Sequence, residues 1–190
     1  MQANRNIRRS IYEYTKTKLT NLGFAYIYTE AQMRSDITPN SSGSYVYLVD
    51  SMTKPMATTL PFIVLEVQNI DAEEFEMGNR SGKNFDVFWH VFGKSRGQRD
   101  DIACYLQEHA KADAAISYYD YSSGSGITMG FPIQIMGKIR VVDSPPPDKE
   151  IQEYSLANWA IVSFSCAVVG TDSAVYSEEI LWNDPNAVWA

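Results

Sequence analysis

Two histidines and two cysteines are the side chains in this sequence best suited to acid–base, metal or nucleophilic chemistry. His90 falls in an apolar stretch and His109 near the end of a predicted helix, whereas Cys104 and Cys166 lie far apart and outside any CxxC pair. No HExxH or GxSxG motif accompanies them. We therefore assign no catalytic residue. For His90, a structural or interface role is expected, and a general-base role is the weaker alternative. The thiols of Cys104 and Cys166 are both expected to be buried and free.

Two predicted loops carry residues that could hold a ligand. The glycine-rich segment 124–130 lacks the Lys-Ser/Thr ending of a P-loop and does not match GxGxxG, so it is predicted to be a mobile loop. The acidic residues Asp71, Glu73, Glu74 and Glu76 do not follow EF-hand spacing. They are predicted to form a solvated loop or, alternatively, an interface loop that contacts basic residues of a partner. The sequence therefore predicts neither a cofactor nor a metal site.

Basic residues gather at two predicted helix starts, where the helix dipole disfavours cations. The first group is Arg5, Arg8 and Arg9, and the second group is Lys94, Arg96 and Arg99. A partner such as DNA or an acidic protein surface would compensate the first group, and a solvated basic end is the alternative. The second group is compatible with a rim, a subunit contact or no role.

Composition limits the class of protein. Of the 190 residues, 45% are hydrophobic, 21% charged and 13% aromatic, which is typical of a globular domain rather than of a disordered chain. The net charge of −7 excludes a surface that wraps nucleic acid as a whole, because phosphate binding needs clustered Lys and Arg. No apolar run is long enough to cross a bilayer, and the start Met1–Ser10 has no secretory h-region. We therefore expect no membrane partner and folding in a reducing cytoplasm.

Hydrophobic periodicity and turn residues predict the elements that position these side chains. Helices are expected at 5–22 and 95–112, the first closed by Gly23 and the second opened by a capping box of Ser95 and Gln98. Strands are expected at 24–29, 45–49, 62–68, 84–92, 116–121, 133–142 and 154–169. Irregular structure is expected at 31–59 (an insertion), 69–83, 122–130, 143–153 (a linker) and 171–190 (a C-terminal extension).

The strand around Trp89 is apolar on both faces, since Phe85 and Val87 share the face of Trp89 while Phe88 and Phe92 lie on the other. Such a strand belongs at the centre of a sheet or meets a partner. The loop before it is too short for a helical crossover, so it is expected to pair antiparallel with the preceding strand. We therefore predict the α+β class, with a mixed or mainly antiparallel β-sheet and two helices packed on one face.

A single domain is expected at residues 1–170, with the insertion 31–59 inside it and the extension 171–190 behind it. The extension combines acidic residues with apolar ones such as Leu181 and Trp182. Apolar anchors on a segment with little core of its own indicate docking, on this subunit or on a neighbour.

Four segments of the middle of the chain occur in a recognisable order behind the amphipathic first helix. They are LPFIVLE at 60–66, FEMG at 75–78, FDVFWHVFGK at 85–94 and GQRDDIA at 97–103. Together they resemble the pattern of the tail-terminator and head–tail joining (neck) proteins of tailed bacteriophages, over residues 5–112. Three segments fall outside that pattern, namely 31–59, 143–153 and 171–190.

The resemblance implies a structural virion protein without enzymatic activity. It implies a homo-oligomeric ring, usually a hexamer, that caps the tail tube, stops its polymerisation and joins the tail to the neck or head. Two sheet edges and the long loops would make the subunit contacts. DNA would pass non-specifically through the lumen, where acidic residues let it slide. The expected location is the virion, and the host cytoplasm during assembly.

Two alternatives to a tail terminator stay open. One is a neck or head-completion connector protein, and the other is a small-ligand-binding or enzymatic α+β domain. A stable ring near six times the 21.4 kDa chain mass favours a tail terminator or a connector protein. A monomer with a saturable small-molecule pocket favours the ligand-binding or enzymatic domain.

Overall fold

The structure, a computed structural model, describes residues 2–29, 31–32, 44–50, 60–75, 80–113, 115–121, 126–128, 132–143 and 158–171. Large parts of the predicted insertion, glycine-rich loop and linker lie outside these residues, as does the predicted C-terminal extension beyond Thr171. Among the residues described, no helix is long and apolar enough to cross a membrane.

Helix α1 spans Gln2–Asn21, close to the predicted bounds. Its apolar positions recur at helical spacing, and Ile7 and Ile11 are fully buried. The helix stops at Gly23, whose φ of 106° lies in the left-handed region that favours glycine. The Gly23 N–H donates to the carbonyl of Thr20 at 3.0 Å, so the glycine closes the helix as predicted.

Helix α2 spans Arg96–Asp113 and begins in the predicted capping box. The Gln98 N–H donates to Ser95 Oγ at 3.2 Å, and the Gln98 side chain accepts the Lys94 N–H at 2.9 Å. Two residues before Ser95 lies Gly93, where a Cβ would lie 2.7 Å from the Ser95 carbonyl oxygen. Only glycine therefore fits at this tight connection from strand to helix.

The described part of the chain contains nine strands, and seven of them form one sheet. Their bounds are β1 Tyr26–Tyr28, β2 Tyr45–Val49, β3 Phe62–Phe75, β4 Arg80–Phe92, β5 Ala115–Ile116, β6 Tyr119–Asp120, β7 Ile127–Thr128, β8 Ile133–Asp143 and β9 Trp159–Thr171. The order in the sheet is β1-β2-β3-β4-β9-β8-β5, and β6 pairs with β7. β1, β2 and β3 run parallel, whereas all other pairs are antiparallel. The predicted mixed, mainly antiparallel sheet is confirmed.

The prediction of a loop at 69–83 is wrong. β3 and β4 continue through most of this segment, with an antiparallel register that runs from Asp71 opposite Asn84 to Phe75 opposite Arg80. Acidic residues and glycine have a low propensity for strands, which is why the sequence pattern indicated a loop. The ladder of backbone hydrogen bonds between antiparallel strands does not need apolar side chains, and it extends the hairpin.

The single strand predicted at 116–121 is replaced by two very short strands, β5 and β6. Side chains of α1 hold the backbone at and after the second of these strands. Ser10 Oγ accepts the N–H of Tyr119 at 3.0 Å, and Asn6 Oδ1 accepts the N–H of Tyr121 at 3.2 Å. Backbone donors that a neighbouring strand would otherwise pair are thus satisfied by the helix.

Both helices pack on the same face of the sheet, which we call the inner face. Trp89 is fully buried there, with its ring centroid 4.8 Å from that of Phe164. Its indole N–H donates to Thr15 Oγ1 of α1 at 3.0 Å. Helix α2 contributes Ile102 and Leu106 to the same apolar cluster. The predicted α+β architecture, with two helices on one face, is therefore present.

The two cysteines are both free, but they differ in exposure. Cys166 is buried on β9, and burial together with the charge of Asp86 raises the pKa of its thiol to about 12. Cys104 is exposed on α2, so the prediction of a buried thiol is wrong there. The neighbouring positions Ile102 and Ala103 occupy the buried face of the helix, which leaves Cys104 on the outer side.

Candidate interaction surface

His90 lies on the face of the sheet opposite the helices, which we call the outer face. Its Nε2 lies 3.0 Å from Oε2 of Glu66 on β3, and the amide nitrogen of Gln68 donates to Glu66 Oε1 at 2.7 Å. Burial raises the pKa of Glu66, but these two hydrogen bonds outweigh it, so the pKa of this carboxyl lies below its usual range. The histidine therefore ties two neighbouring strands together.

Aromatic rings surround His90 on the outer face. Its ring stacks on Trp159 of β9 at a centroid distance of 6.0 Å and lies 6.4 Å from Phe88. Two nitrogens in this group, Nδ1 of His90 and Nε1 of Trp159, are buried and have no hydrogen-bond partner among the described residues. Buried polar groups without a partner are uncommon in folded proteins, so this corner of the outer face differs from an ordinary apolar core.

A second group of rings lies toward β1 on the outer face. Tyr28, Tyr45 and Tyr47 contact one another with centroid distances of 5.4 to 6.2 Å. Phe62 and Phe92 belong to the same cluster, and their ring centroids lie 5.8 Å from each other. Tyr47 and Phe62 are buried and the other three are half-buried. The outer face is thus largely aromatic, with the amphipathic rings that protein–protein contacts favour.

His109 lies where the two helices meet, with its ring 4.2 Å from that of Tyr105. Asp113, one turn later, accepts the Tyr14 hydroxyl at 2.8 Å and pairs with Lys18 Nζ at 2.6 Å. Burial raises the pKa of Asp113, but the bonds from Lys18 and Tyr14 outweigh it and hold that pKa below its usual range. Burial and the hydrogen bond to Asp113 raise the pKa of Tyr14. This cluster links α1 to α2.

The three arginines predicted near the start of α1 are exposed and close together. Arg5, Arg8 and Arg9 line an open cavity of about 410 Å³, which Asp50 also borders. The guanidinium of Arg9 lies 4.2 Å from the ring centroid of Tyr121, a cation–π contact. Arg9 therefore has a partner within the chain, and the cavity sets the three arginines against the acidic Glu13 and Asp50.

The basic residues near the start of α2 do not form one surface. Lys94 Nζ lies 4.5 Å from the ring centroid of Tyr45, and Arg96 is exposed. Arg99 is almost fully buried; it contacts the carboxylate of Asp100 and donates to the carbonyl of Trp159 at 3.2 Å. Arg99 thus joins α2 to the first residue of β9. Its burial fits neither a rim nor a subunit contact, two of the roles predicted for this group.

The two candidate ligand loops have different outcomes. Asp71, Glu73 and Glu74 lie within β3 rather than in a loop. Of the glycine-rich segment 124–130, the structure describes residues 126–128, and Ile127–Thr128 forms β7. The residues described contain no group of three or more His, Cys, Asp or Glu side chains that could hold a metal ion.

Beyond Gln134, β8 pairs with β9 on one side and, among the residues described, with no strand on the other, although the Gln107 side-chain amide of α2 donates to the carbonyl of Ile139 at 3.4 Å. β5 pairs with the first two residues of β8, Ile133 and Gln134, and within the described chain no other strand pairs on that side. Along the free part, Met136, Val141 and Val142 leave 49%, 37% and 43% of their surface exposed. An unpaired strand edge with exposed apolar side chains is a template for pairing with another chain.

The opposite side of the sheet has a second free edge, on β3. The parallel partner β2 pairs only with Phe62, Ile63 and Val64. The rest of the strand, residues 65–75, has its other neighbour β4 but no partner on the β2 side in the part of the chain that is described. Within the described residues, the sheet therefore has two different stretches without a neighbouring strand, one on β3 and one on β8, on opposite sides.

Sequence reasoning identified the elements that carry these surfaces but not the surfaces themselves. The alternation at 133–142 predicted a strand with one solvated face, yet alternation does not show whether a strand lies at an edge. Glu66 as the partner of His90 was also missed. Both residues have outward parity in their strands, which is a usable signal only once the register of the hairpin is known.

Comparison with protein-family models finds no match for this chain, and comparison with curated proteins finds none either.

Proposed function

We propose that this chain is a structural subunit that assembles head to tail with copies of itself into a closed ring, and that the ring terminates the tail tube of a tailed phage. The ring caps the tube, stops its polymerisation and joins the tail to the neck or head. The proposal assigns no catalytic residue, cofactor or metal. Its partners are other copies of the chain, the tail-tube protein and the neck proteins, with DNA passing through the lumen.

The observation that carries the proposal is the pair of unlike free edges on the sheet. An edge that pairs with an identical edge forms a closed dimer, whereas contacts between two different surfaces propagate from copy to copy. Such propagation closes into a ring when the rotation between copies allows it. The free edges of β3 and β8 lie on opposite sides of one sheet, which is the arrangement that head-to-tail assembly needs.

The choice of a tail terminator among ring proteins is supported by the resemblance of residues 5–112 to that family. The elements of this region occur in the order of the family pattern, from α1 through the β3–β4 hairpin to α2. The net charge of −7 favours a lumen through which DNA slides without binding.

The test is the mass of the purified full-length chain, followed by its effect on tail tubes. Native mass spectrometry is expected to give a closed oligomer near six times the 21.4 kDa chain mass. The oligomer, added to polymerising tail-tube protein from the same phage, is expected to shorten the tubes and to appear at one tube end in electron micrographs. Bovine serum albumin at equal mass concentration serves as the control and leaves tube length unchanged.

Two results would contradict the proposal. A chain that stays monomeric at micromolar concentration excludes the ring, and a monomer that binds a small molecule saturably supports the ligand-binding alternative. A ring that leaves tube elongation unchanged but binds the head-side connector moves the assignment to a neck protein.

A further inference from the structure

An apolar cluster lies on the outer face over β2 and β3, and we call it the outer cluster. Its buried members are Tyr47 and Val49 of β2 and Phe62 and Val64 of β3. We propose that residues 51–59, which connect these two strands, pack across the outer cluster and cover it. The inference concerns a single subunit, so it does not depend on the proposed ring. It assigns this part of the outer face to the chain itself rather than to a partner.

The outer cluster is shielded from solvent, although the described elements do not shield it. None of its four buried side chains leaves more than 3% of its surface exposed. Both helices lie on the inner face. Among the described residues, the other apolar side chains that pack against the cluster come from the strands or from the start of β3, namely Tyr28, Tyr45, Leu60 and Phe92. The burial therefore requires a further segment of the same chain.

This burial is confined to the part of the outer face over β2 and β3. Toward β1, Tyr26 leaves 41% of its surface exposed, and toward β8, Met136 and Val142 leave 49% and 43% exposed. The strand registers place these three side chains on the same face as the outer cluster. The covering segment is therefore small, and it lies where the connection from β2 to β3 begins and ends.

The direction of the strands requires this connection to cross the sheet. β2 and β3 are parallel neighbours, and parallel neighbours are joined by a crossover that runs over one face. β2 ends at Val49 and β3 begins at Phe62. On the inner face, α1 already occupies the space beside β2, because Leu48 belongs to the inner apolar cluster and its carbonyl accepts the Tyr12 hydroxyl at 3.3 Å.

The length of the connection favours the outer face. Continuing the register of Tyr47 opposite Phe62 sets Leu60 level with Tyr45, so the chain returns about 17 Å along the strands after Asp50. Ten residues reach about 33–36 Å, which leaves roughly 16–19 Å for leaving the sheet and coming back. That is enough to pass over one layer of side chains. A route outside α1 must cross a helix about 10–12 Å in diameter twice, which exceeds the remaining length.

The composition of the connection suits a cover over aromatic rings. Residues 51–59 contain two methionines, Met52 and Met56, and a single charged residue, Lys54. Methionine is flexible, and its sulfur makes favourable contacts with aromatic rings such as those of the outer cluster. Leu60, which follows directly, is already partly buried against that cluster.

Methyl NMR of the unmodified full-length chain, labelled at the methionine methyl groups, tests the contact. The methyl groups of Met52 and Met56 are expected to show nuclear Overhauser cross-peaks to the ring protons of Tyr47 or Phe62, and that of Met33 is not. Single Met→Leu substitutions assign the signals. Cross-peaks from neither Met52 nor Met56 overturn the inference, and cross-peaks from Met33 in their place assign the cover to the connection before β2. The measurement applies to a monomer and to a ring, so its failure leaves the proposed function standing.

A mixed sample excludes a contact between copies. Chains with labelled methionines and deuterated rings are refolded together with unlabelled chains that have protonated rings. Only contacts between different copies give cross-peaks in this sample, and none is expected from Met52 or Met56. Cross-peaks that persist there would show that the segment covers a neighbouring copy, and they would overturn the inference.

A pair of substitutions measures what the cover contributes. Met52→Ser with Met56→Ser is expected to raise the unfolding equilibrium constant about tenfold or more in urea titrations, because two apolar side chains lose their burial. The matched control, Met33→Ser with Met129→Ser, changes methionines of two other connections and is expected to shift the constant by no more than about twofold. An equal effect of the two pairs overturns the inference.

Truncation after Thr171 tests the C-terminal extension as the alternative cover. Hydroxyl-radical labelling of the Tyr47 and Phe62 rings is expected to stay at the wild-type level in this truncated chain and to rise in the variant with Met52→Ser and Met56→Ser. Increased labelling in the truncated chain alone would assign the cover to the extension and overturn the inference.

Discussion

The inner and outer faces of the sheet are both rich in large apolar side chains, but they differ in whether their buried polar groups have hydrogen-bond partners. On the inner face, the indole N–H of Trp89 reaches Thr15 of α1, and the buried Ser10 and Thr15 hydroxyls bond to carbonyls of their own helix. On the outer face, Nε1 of Trp159 and Nδ1 of His90 have no partner among the described residues. The helices supply the polar partners of the inner face, so only that face is complete within the described chain.

The largest effect is expected from removing the centre of the inner face. Trp89→Ala deletes a fully buried ring and its hydrogen bond to Thr15, and large-to-small changes of this kind cost about 3–5 kcal/mol. Urea unfolding followed by circular dichroism measures the loss. Phe88→Ala, at a half-buried outer position of the same strand, is the matched control and is expected to cost less than half as much. Equal losses would show that the two faces contribute alike.

The helix layer itself gives the next effect. Leu106→Ala on α2 leaves a cavity against the inner face and is expected to cost about 2–4 kcal/mol. The exposed neighbour Cys104→Ala, on the outer side of the same helix, is expected to change the free energy of unfolding by less than about 0.5 kcal/mol. Thermal and urea unfolding of both variants measure the difference. A large effect of Cys104→Ala would mean that α2 buries its second side in the folded chain.

Two tryptophans allow the same substitution to be compared on the two faces. Trp89→Phe breaks a hydrogen bond and leaves the Thr15 hydroxyl without its donor, whereas Trp159→Phe removes a buried N–H that has no partner in the described structure. Both variants lose similar ring volume. We therefore expect Trp89→Phe to be the more destabilising by about 1–3 kcal/mol. Equal stability changes would show that the N–H of Trp159 is satisfied in solution.

The smallest effect concerns the Glu66 carboxylate on the outer face, which His90 and Gln68 contact. The pKa of Glu66 lies below its usual range in the folded chain, so its contribution to stability is present above the ordinary glutamate pKa and is lost as pH falls through the folded value. Because the side chain is 33% exposed, we expect less than about 1 kcal/mol. Urea unfolding between about pH 7 and about pH 3 measures it. Glu66→Gln is expected to remove this part of the pH dependence, and an unchanged profile would contradict it.

The sequence predicted those parts of the fold whose side chains must be apolar at regular spacing. Apolar residues on both faces around Trp89 indicated a central strand or one that meets a partner, and β4 does lie in the middle of the seven-stranded sheet. Gly23 and Gln98 marked the ends of helices. The hairpin at 71–84 was missed, because its strands are held by backbone pairing and carry acids and glycine, which indicate loops. The burial of Arg99 was missed as well, because its partner carbonyl at Trp159 is distant in sequence.

The candidate surface was less accessible to sequence analysis for a related reason. A strand lies at an edge when no other strand pairs with one of its sides. The hydrophobic pattern of a strand indicates which of its faces is buried, but it does not indicate how many neighbouring strands it has. In the sequence, Met136 and Val142 look like ordinary apolar residues of a strand, and the structure leaves both exposed on β8, next to the border of the sheet. The basic residues near α1, in contrast, were visible at once as a charge cluster.

The place of β9 in the sheet has a consequence for the order in which the sheet can form. β9 is the last strand described, yet it lies between β4 and β8 and is the strand through which β8 joins β4. During translation, β8 emerges before β9 and cannot yet join the main sheet. The sheet therefore closes around β9 only after the ribosome has delivered this strand, so that β8 waits for a later part of the chain.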